Sequence, residues 1–165
     1  MNLTRLIYCS ESIPSVELDL LQLIAISHKN NARAGITGFL FHDGQSFIQV
    51  LEGSRSATNA LYHRIAADAR HTGLVLIQYG DVIERMFPSW SMGLHQGIDQ
   101  RTQDIFRRYF ATSGIDPKTM NAESVLRMMR DLASDSADRA AASLAHSALH
   151  PADESLTIGH SNAPG

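Results

Sequence analysis

A turn signal in the middle of the chain joins two apolar runs. The runs ITGFLF and FIQVL flank Asp43 and Gly44, and an Asp-Gly pair in this setting is a strong signal for a tight β-hairpin. We therefore predict antiparallel strands at about 36–42 and 46–52. Gln49 lies inside the second run, where an amide without hydrogen-bond partners costs about 1 to 3 kcal/mol. The pattern predicts that a polar group faces Gln49.

Helical periodicity flanks this hairpin on both sides. Ser15 is predicted to cap a first helix that ends near Lys29, with Glu17 and Asp19 in its first turn. Asn31 falls on the same face as the apolar stripe of this helix, although burial alone does not require an amide there. The segment SRSATNALYHRIAADARHTG predicts a second helix, whose inner face includes Leu61, Ile65 and Asp68.

Three more strands complete a sheet that both helices can cover. Short runs rich in β-branched and aromatic residues predict strands at 3–9, 74–80 and 90–94. The resulting order is β-α-β-β-α-β-β. It predicts a ferredoxin-like α+β sandwich, in which both helices pack on one face of a mostly antiparallel sheet.

The C-terminal part of the chain is predicted to cover the opposite face of the sheet. Two amphipathic helices are marked by their apolar residues: Ile105, Phe106, Tyr109 and Phe110 in one, and Val125, Leu126, Met129 and Leu132 in the other. The breakers Gly114 and Pro117 separate them. We therefore predict a core domain at 1–97, a helical cap at 98–135 and a frayed or disordered tail at 136–165.

Composition narrows the class of protein. The formal charge is −3, and the 14 Lys and Arg residues are scattered, so direct binding of nucleic acid is not expected. The single cysteine, Cys9, cannot form an internal disulfide, and its apolar neighbours predict a small buried residue in a reducing compartment. Neither a signal peptide nor an apolar run of about 18 residues is present, so we expect a cytoplasmic protein that does not enter a membrane.

Polar side chains recur on faces that are otherwise apolar. They are Tyr8, Asn31, Gln49 and Asp68, with Arg64 and His71 nearby on the second helix. Each has an ordinary alternative: a core tyrosine with its hydroxyl at the rim, an asparagine that caps a helix, or a solvated cluster at a helix end. Trp90 and Met92 would by default be core residues. Taken together, the amides, the phenol and the Arg/Asp pair favour a flat, hydrogen-bonding ligand between the two helices.

Motifs for metal binding, nucleophilic catalysis and phosphate binding are absent from the sequence. No C-x-x-C or H-E-x-x-H occurs, the eight histidines are dispersed, and no G-x-S-x-G elbow is present. The segment GITGFL lacks the spacing of a Walker phosphate loop. We therefore expect no metal site and no enzymatic activity.

Several separated motifs carry a resemblance to a known family. LIYCS, NNARAGITGFLFHDGQSFIQVLEG, IAADARH and RMFPSWSMGL, in this order and spacing, resemble the BLUF family of blue-light sensors that use flavin adenine dinucleotide (FAD). The likeness spans about residues 3–97, which would make this core the photosensor domain. It implies a ferredoxin-like domain that holds the isoalloxazine ring of FAD between its two helices.

The resemblance also implies which residues respond to light. By motif position, Tyr8 and Gln49 would be the photoactive pair, and Trp90 and Met92 would relay the signal. In similar proteins, light drives an electron and a proton from the tyrosine to the flavin. The flavin then returns to its oxidised form with a changed hydrogen-bond pattern, and rotation or tautomerisation of the glutamine amide accounts for that change.

A set of flavin-binding residues follows from the same motifs. It would comprise the ring-sandwiching Ile24 and Ile65, the pyrimidine-edge residues Asn30 and Asn31, the switching Gln49, Arg64 and Asp68 near the C2 carbonyl, and His71. Arg70 and His71 match the family's D-x-R-H motif.

The resemblance does not extend to an effector domain. After residue 100 the sequence resembles no cyclase or phosphodiesterase domain, which implies a short BLUF protein that signals through a separate downstream protein. The helical cap would be its output segment, and we expect a homo-oligomer.

Two rival classes share this fold. An enzyme of the acylphosphatase kind would need an anion-binding loop with a positioned arginine, which SESIPS does not offer. A ligand-binding or oligomerisation module that works without flavin and without light is the alternative. A yellow protein whose absorption shifts red under blue light and reverts in darkness would exclude both.

Overall fold

The computed structural model describes residues 2–16, 19–111, 116 and 119–149. Within these residues, five strands are present: β1 (Leu3–Ser12), β2 (Thr37–His42), β3 (Ser46–Ser54), β4 (His71–Val82) and β5 (Gly93–Gln96). Four helices accompany them: α1 (Leu20–Ala34), α2 (Arg55–Ala66), α3 (Gln100–Tyr109) and α4 (Ala122–Leu149). The predicted order of strands and helices through β5 is confirmed.

One mixed sheet organises the molecule, with the strand order β4-β1-β3-β2-β5. All neighbouring strands are antiparallel except β2 and β5, which are parallel. The predicted hairpin joins β2 to β3, and at its turn the Asp43 carboxylate accepts the backbone N–H groups of Gln45 and Ser46. The ferredoxin-like α+β class is therefore confirmed.

Strand alternation divides the core into two layers. On the α1/α2 face the buried set includes Leu6, Tyr8, Leu20, Ile36, Leu40, Phe47, Leu51 and Met92. On the other face Ile7, Cys9, Phe39, Phe41, Ile48 and Val50 pack against Ile105 and Phe106 of α3 and Val125, Leu126, Met129 and Leu132 of α4. The two C-terminal helices thus cover the face opposite α1 and α2, as predicted.

Helix α1 begins later and ends later than predicted. Asp19, not Ser15, is its N-cap, and the Asp19 Oδ1 accepts the backbone N–H of Gln22 at 2.9 Å. The helix passes the predicted end at Lys29 and stops at Gly35, which has the left-handed φ of 66° that glycine tolerates. Glu17, which was predicted in the first turn, lies outside the described residues.

The last two strands also differ from the prediction. Strand β4 begins at His71 rather than at 74, and β5 covers Gly93–Gln96 rather than 90–94. Trp90 and Met92 therefore lie in the loop before β5. The reason is that pairing of β5 with β2 begins at Gly93, whereas the carbonyl of Trp90 instead accepts the N–H of Gly38 at 2.8 Å.

Helix α4 continues to Leu149, so the frayed tail predicted from 136 does not begin there. An Ala-rich segment has high intrinsic helix propensity and prolongs a helix that is already nucleated. Residues 150–165, and the predicted breakers Gly114 and Pro117, lie outside the described residues.

A buried ion pair fastens the loop between β4 and β5 to the sheet. Arg5 Nε donates to Glu52 Oε1 at 2.7 Å, and the Glu52 carboxylate also accepts the N–H groups of Met86 and Phe87 at 2.9 and 3.0 Å. Arg85 adds a bond to the backbone carbonyl of Glu52 at 2.7 Å. Because a buried carboxylate must be fully hydrogen-bonded to be tolerated, this arrangement specifies where the loop lies.

Candidate functional site

A cleft opens between α1, α2 and the sheet. Its apolar walls are Leu23, Ile24, Leu40, Phe47, Leu61 and Ile65, and its polar residues are Tyr8, Ser10, Ser27, Asn31, Gln49, Asp68, Arg70 and His71. Its volume is about 600 Å³, including the mouth that is open to solvent. Mostly apolar walls with a few convergent polar groups are typical of a small-molecule or cofactor site.

Three side chains form a hydrogen-bonded chain at the floor of the cleft. Tyr8 and Gln49 are directly paired across β1 and β3, and the Tyr8 hydroxyl donates to Gln49 Oε1 at 2.5 Å. Gln49 Nε2 in turn donates to the sulfur of Met92 at 3.2 Å. A primary amide has two N–H donors, so one remains available to a ligand in the cleft. The polar group predicted to face Gln49 is therefore the phenol of Tyr8.

The phenol of Tyr8 is held in its protonated form. Burial raises the pKa of Tyr8 far above its ordinary value, and the nearby Tyr62 and Asp68 raise it further. The Tyr62 ring also packs edge-on against Tyr8, with ring centroids 5.8 Å apart. Tyr8 therefore offers its hydroxyl proton to Gln49 at neutral pH.

Asn31 links the cleft to the loop before β5. It is a buried residue of α1, which continues to Ala34, and its Nδ2 donates to the backbone carbonyl of Ser91 at 3.0 Å. Its Oδ1 and second N–H remain for a ligand. Asn31 is thus a helix-interior residue that faces the cleft, which removes the alternative that it caps the helix.

Buried polar atoms without protein partners mark the deep wall. His71 Nε2 lies 2.9 Å from the carbonyl of Ile65, so this nitrogen carries the proton and Nδ1 is left as an acceptor. Among the described residues, His71 Nδ1 and Ser10 Oγ are buried without a hydrogen-bond partner. Such atoms are costly unless a ligand or water satisfies them, so a polar ligand bound in the cleft would relieve this cost.

The mouth of the cleft carries an ion pair. The Arg70 guanidinium bonds both carboxylate oxygens of Asp68, and these bonds lower the pKa of Asp68. Asp68 follows the end of α2 instead of lying on its inner face, because the helix stops at Ala66. The pair is partly exposed, so it contributes little to the stability of the fold.

The structure brings together most of the predicted site residues. Lining the cleft are the predicted Tyr8, Ile24, Asn31, Gln49, Ile65, Asp68 and His71. Asn30 and Arg64 do not line it: both are exposed. Asn30 is directed away because its neighbour Asn31 takes the inward position of the helix. Arg64 lies on the outer side of α2, and Arg70 is the partner of Asp68 in its place.

Some lining residues were not among those predicted to bind the flavin, although spacing would have found them. Ser27 lies between Ile24 and Asn31 at helical intervals, and Leu61 precedes Ile65 by one turn. Phe47 and Leu40 follow from the alternation that places Gln49 and Tyr8 on this face. Arg70 was visible in the D-x-R-H motif.

Trp90 and Met92 lie on opposite sides of the sheet. Met92 is buried with the α1/α2 layer, whereas the Trp90 ring packs on Phe39 in the other layer, with centroids 5.0 Å apart. Gly93 makes this possible, because a Cβ there would lie 1.7 Å from the Trp90 ring. The loop therefore connects the cleft to the layer that α3 and α4 cover.

Neither a metal site nor a membrane-spanning segment is evident in the part of the chain that the structure describes. No group of three or more His, Cys, Asp or Glu side chains there is placed to hold an ion. No described helix is both long and apolar enough to cross a bilayer. The cleft suits a flat heteroaromatic ring, with Ile24 and Ile65 as apolar walls and amides for its polar edge.

Comparison with known proteins agrees with this geometry. The family model described as "BLUF: Sensors of blue-light using FAD" matches residues 3–93. The photoactivated adenylate cyclase subunit beta of Euglena gracilis is 38% identical over 92 residues, which cover 54% of this chain and 11% of that protein. The chain thus spans about a tenth of the length of this curated relative.

Two solved structures are also similar to this chain. The dark-state structure of the BLUF protein BlrB matches with a TM-score of 0.64 and 29% identity, covering 79% of this chain and 96% of that one. The structure of Klebsiella pneumoniae BlrP1 with FMN and cyclic diGMP matches with a TM-score of 0.56 and 35% identity, covering 57% and 26%. Because the family model matches more than half of its length, this chain belongs to the BLUF family of flavin-binding blue-light sensors.

Proposed function

We propose that this protein is a photoreceptor that holds FAD in the cleft between α1 and α2 and switches by reorienting Gln49. The chain of hydrogen bonds from Tyr8 through Gln49 to Met92 carries the proposal. When bound, the flavin supplies absorption of blue light and an excited state able to oxidise a neighbouring phenol. Asn31, His71 and Ser10 have unused polar atoms that would hold it.

Met92 makes the orientation of Gln49 consequential. A thioether sulfur accepts hydrogen bonds and cannot donate them. If the Gln49 amide turns over, its oxygen faces the Met92 sulfur, and the present N–H to sulfur contact at 3.2 Å is lost. Exchanging hydrogen bonds in a dry site is worth about 1 to 3 kcal/mol, enough to shift Met92 between two positions.

Tyr8 is suited to start this change. Its phenol is neutral, buried and hydrogen-bonded to the amide that must turn, so an electron and a proton can leave together and return by a different arrangement. No net chemical conversion takes place, so the proposal is for a sensor and not an enzyme.

FAD is our choice over FMN. The matching family description names FAD, whereas the BlrP1 structure is described with FMN. Both carry the same ring, which the cleft would enclose, and the open mouth beside Asp68 and Arg70 leaves space for the remainder. Chromatography of flavin released from the purified protein decides between the two.

The signal is proposed to leave through the helical cap to a separate downstream protein. The cap helices cover the layer that contains Trp90, so movement of the loop before β5 reaches them directly. Hydrogen exchange in residues 100–132 is then expected to change on illumination. Exchange in α1, the helix predicted from Ser15 to Lys29, is expected to change little. Assembly into a homo-oligomer is part of the same proposal, and sedimentation measures it.

One spectroscopic experiment tests the photoreceptor. Purified full-length protein should be yellow, shift its flavin absorption to the red under blue light, and revert in darkness. A protein that binds no flavin when refolded or expressed with an excess of FAD would contradict the proposal. It would leave the light-independent ligand-binding or oligomerisation module as the function.

A further inference from the structure

A buried histidine connects β5 to both cap helices. His95 is 5% exposed and lies on the face that α3 and α4 cover. Its Nε2 lies 2.8 Å from the Thr102 hydroxyl in α3, and its Nδ1 lies 2.9 Å from the Ser136 hydroxyl in α4. One side chain of β5 therefore bonds both helices at once.

The directions of these hydrogen bonds are fixed by Asp99, the N-cap of α3. The Thr102 hydroxyl donates to Asp99 Oδ1 at 2.9 Å, so its oxygen must accept from His95. His95 Nε2 consequently carries the proton, and Nδ1 accepts from the Ser136 hydroxyl. The hydrogens run in one direction from Ser136 through His95 and Thr102 to Asp99.

The chain returns to α4 through Arg139, one turn after Ser136, so the backbone of α4 closes the ring. Arg139 Nη1 lies 2.6 Å from Asp99 Oδ2, and Arg139 Nε lies 2.5 Å from Asp135 Oδ2. Burial, and next the nearby Arg139, lower the pKa of His95 below its ordinary value, although Asp135 and Asp99 oppose this. The lowered pKa favours neutral His95, whose one donor and one acceptor serve Thr102 and Ser136.

The ring lies close to the proposed switch. His95 follows Met92 by three residues, and β5 starts at Gly93. The backbone between them is paired in parallel with β2, where Phe41 is the partner of His95. A displacement of Met92 would therefore move the backbone of β5, and His95 with it.

Hydrogen bonds make this connection sensitive to small movements. Apolar side chains keep much of their contact when two layers slide, whereas a hydrogen bond weakens steeply once its distance and angle leave a narrow range. A buried imidazole also costs desolvation that an apolar side chain would avoid. The ring thus provides a directional joint that an all-apolar interface would lack.

We propose that His95 is a positioning residue for light output, which joins β5 to α3 and α4 so that movement of β5 and movement of the cap are one event. This inference rests on the photoreceptor proposed above and names the residue that connects it to its output surface. The Ser136 and Thr102 hydroxyls are the two contacts through which His95 acts.

Hydrogen exchange on the full chain loaded with FAD tests the joint. In the unaltered protein, illumination should change exchange in both α3 and α4. Ser136→Ala removes one contact and keeps helix propensity, and it should retain the full red shift while the light-induced difference in α4 falls about fivefold. Ser143→Ala is the matched control, because Ser143 is exposed on the same helix and should leave that difference unchanged.

Two further measurements make the test decisive. Thr102→Val should reduce the light-induced difference in α3 with the red shift intact, and nitrogen-15 spectra should find the His95 proton on Nε2 in darkness and shifted signals in light. If both variants keep the full light-induced difference, or if the unaltered protein shifts red without any exchange difference in α3 and α4, the inference is overturned. Absence of the red shift in the unaltered protein would instead contradict the photoreceptor itself.

Discussion

The Tyr8 hydroxyl and the Gln49 amide face each other across paired strands, with 2.5 Å between the phenol oxygen and Oε1. Both side chains are buried at the floor of the cleft. Since Gln49 also holds Met92, one amide connects a phenol that can be oxidised to the loop before β5.

Tyr8→Phe tests the phenol directly. The substitution removes the hydroxyl and keeps the ring that packs against Tyr62, so the fold and flavin binding should persist. The reversible red shift should be abolished, because the proposed electron donor is missing. Difference absorption spectra before and after blue light measure this, and a shift of full amplitude would show that Tyr8 is not the donor.

Gln49 and Asn31 are predicted to differ in role. Gln49→Leu removes the amide between Tyr8 and Met92 and should silence the red shift with a modest loss of flavin. Asn31→Ala removes a ligand contact and the bond to Ser91, so it should mainly weaken flavin retention or change the dark spectrum. Flavin-to-protein ratios and light-minus-dark spectra separate the two. Complete flavin loss in both variants would make Gln49 a structural ligand and not a switch.

The sequence was sufficient for the sheet, the hairpin and the two layers, because alternation and helical spacing are local signals that core packing reinforces. Helix ends were less accessible. Ser15 and Asp19 are both good caps by residue type, and the structure uses Asp19. The same limit applies to Arg64 and Asp68: they would share a helix face only if α2 continued through Asp68, but it ends at Ala66.

The contacts of Trp90 and Met92 were also beyond sequence reasoning. An apolar segment predicts a strand, but the residue at which its pairing with the neighbouring strand begins depends on partners far away in the sequence. Here the Trp90 carbonyl bonds Gly38, and Asn31 holds Ser91, so regular pairing starts at Gly93. The ring around His95 was invisible for the same reason, as its members are separated along the chain.

Arg70 and Arg64 offer a paired test of the cleft entrance. Arg70→Ala removes the partner of Asp68 and should weaken FAD binding several-fold, because an unpaired carboxylate at the mouth repels the phosphates of FAD. Arg64→Ala should bind FAD as the unaltered protein does, since Arg64 is exposed outside the cleft. Equilibrium titration with FAD measures both affinities. Equal losses would restore Arg64 to the binding site.

Gly93 is predicted to be required for the position of Trp90. An alanine Cβ at this position would lie 1.7 Å from Trp90 and 2.6 Å from Phe39, so Gly93→Ala must displace a ring in the core. We expect a loss of about 1 to 3 kcal/mol in the free energy of unfolding, measured by denaturant titration. Gly80→Ala is the control, because nothing lies within 4 Å of a Cβ there. Equal stability of the two variants would refute the packing.

Acid is predicted to destabilise the protein before its carboxylates titrate. Burial lowers the pKa of both His42 and His95 in the folded state. Below the ordinary histidine pKa of about 6.5, the unfolded chain therefore binds protons that the folded chain does not, and the free energy of unfolding falls as pH falls. This stability is fully present above about pH 6.5 and is lost as pH falls towards and through the folded-state values.

Denaturant titrations at several pH values between about 7.5 and 5 measure this dependence. His95→Gln keeps a donor and an acceptor but cannot titrate, so the slope of stability against pH should become shallower. His63→Gln is the matched control for the substitution itself, since His63 is exposed on α2. Stability that is independent of pH over this window, or an unaltered slope in His95→Gln, would contradict the prediction. It would mean that His95 binds its proton equally well in the folded and unfolded chains, which a buried imidazole beside Arg139 should not do.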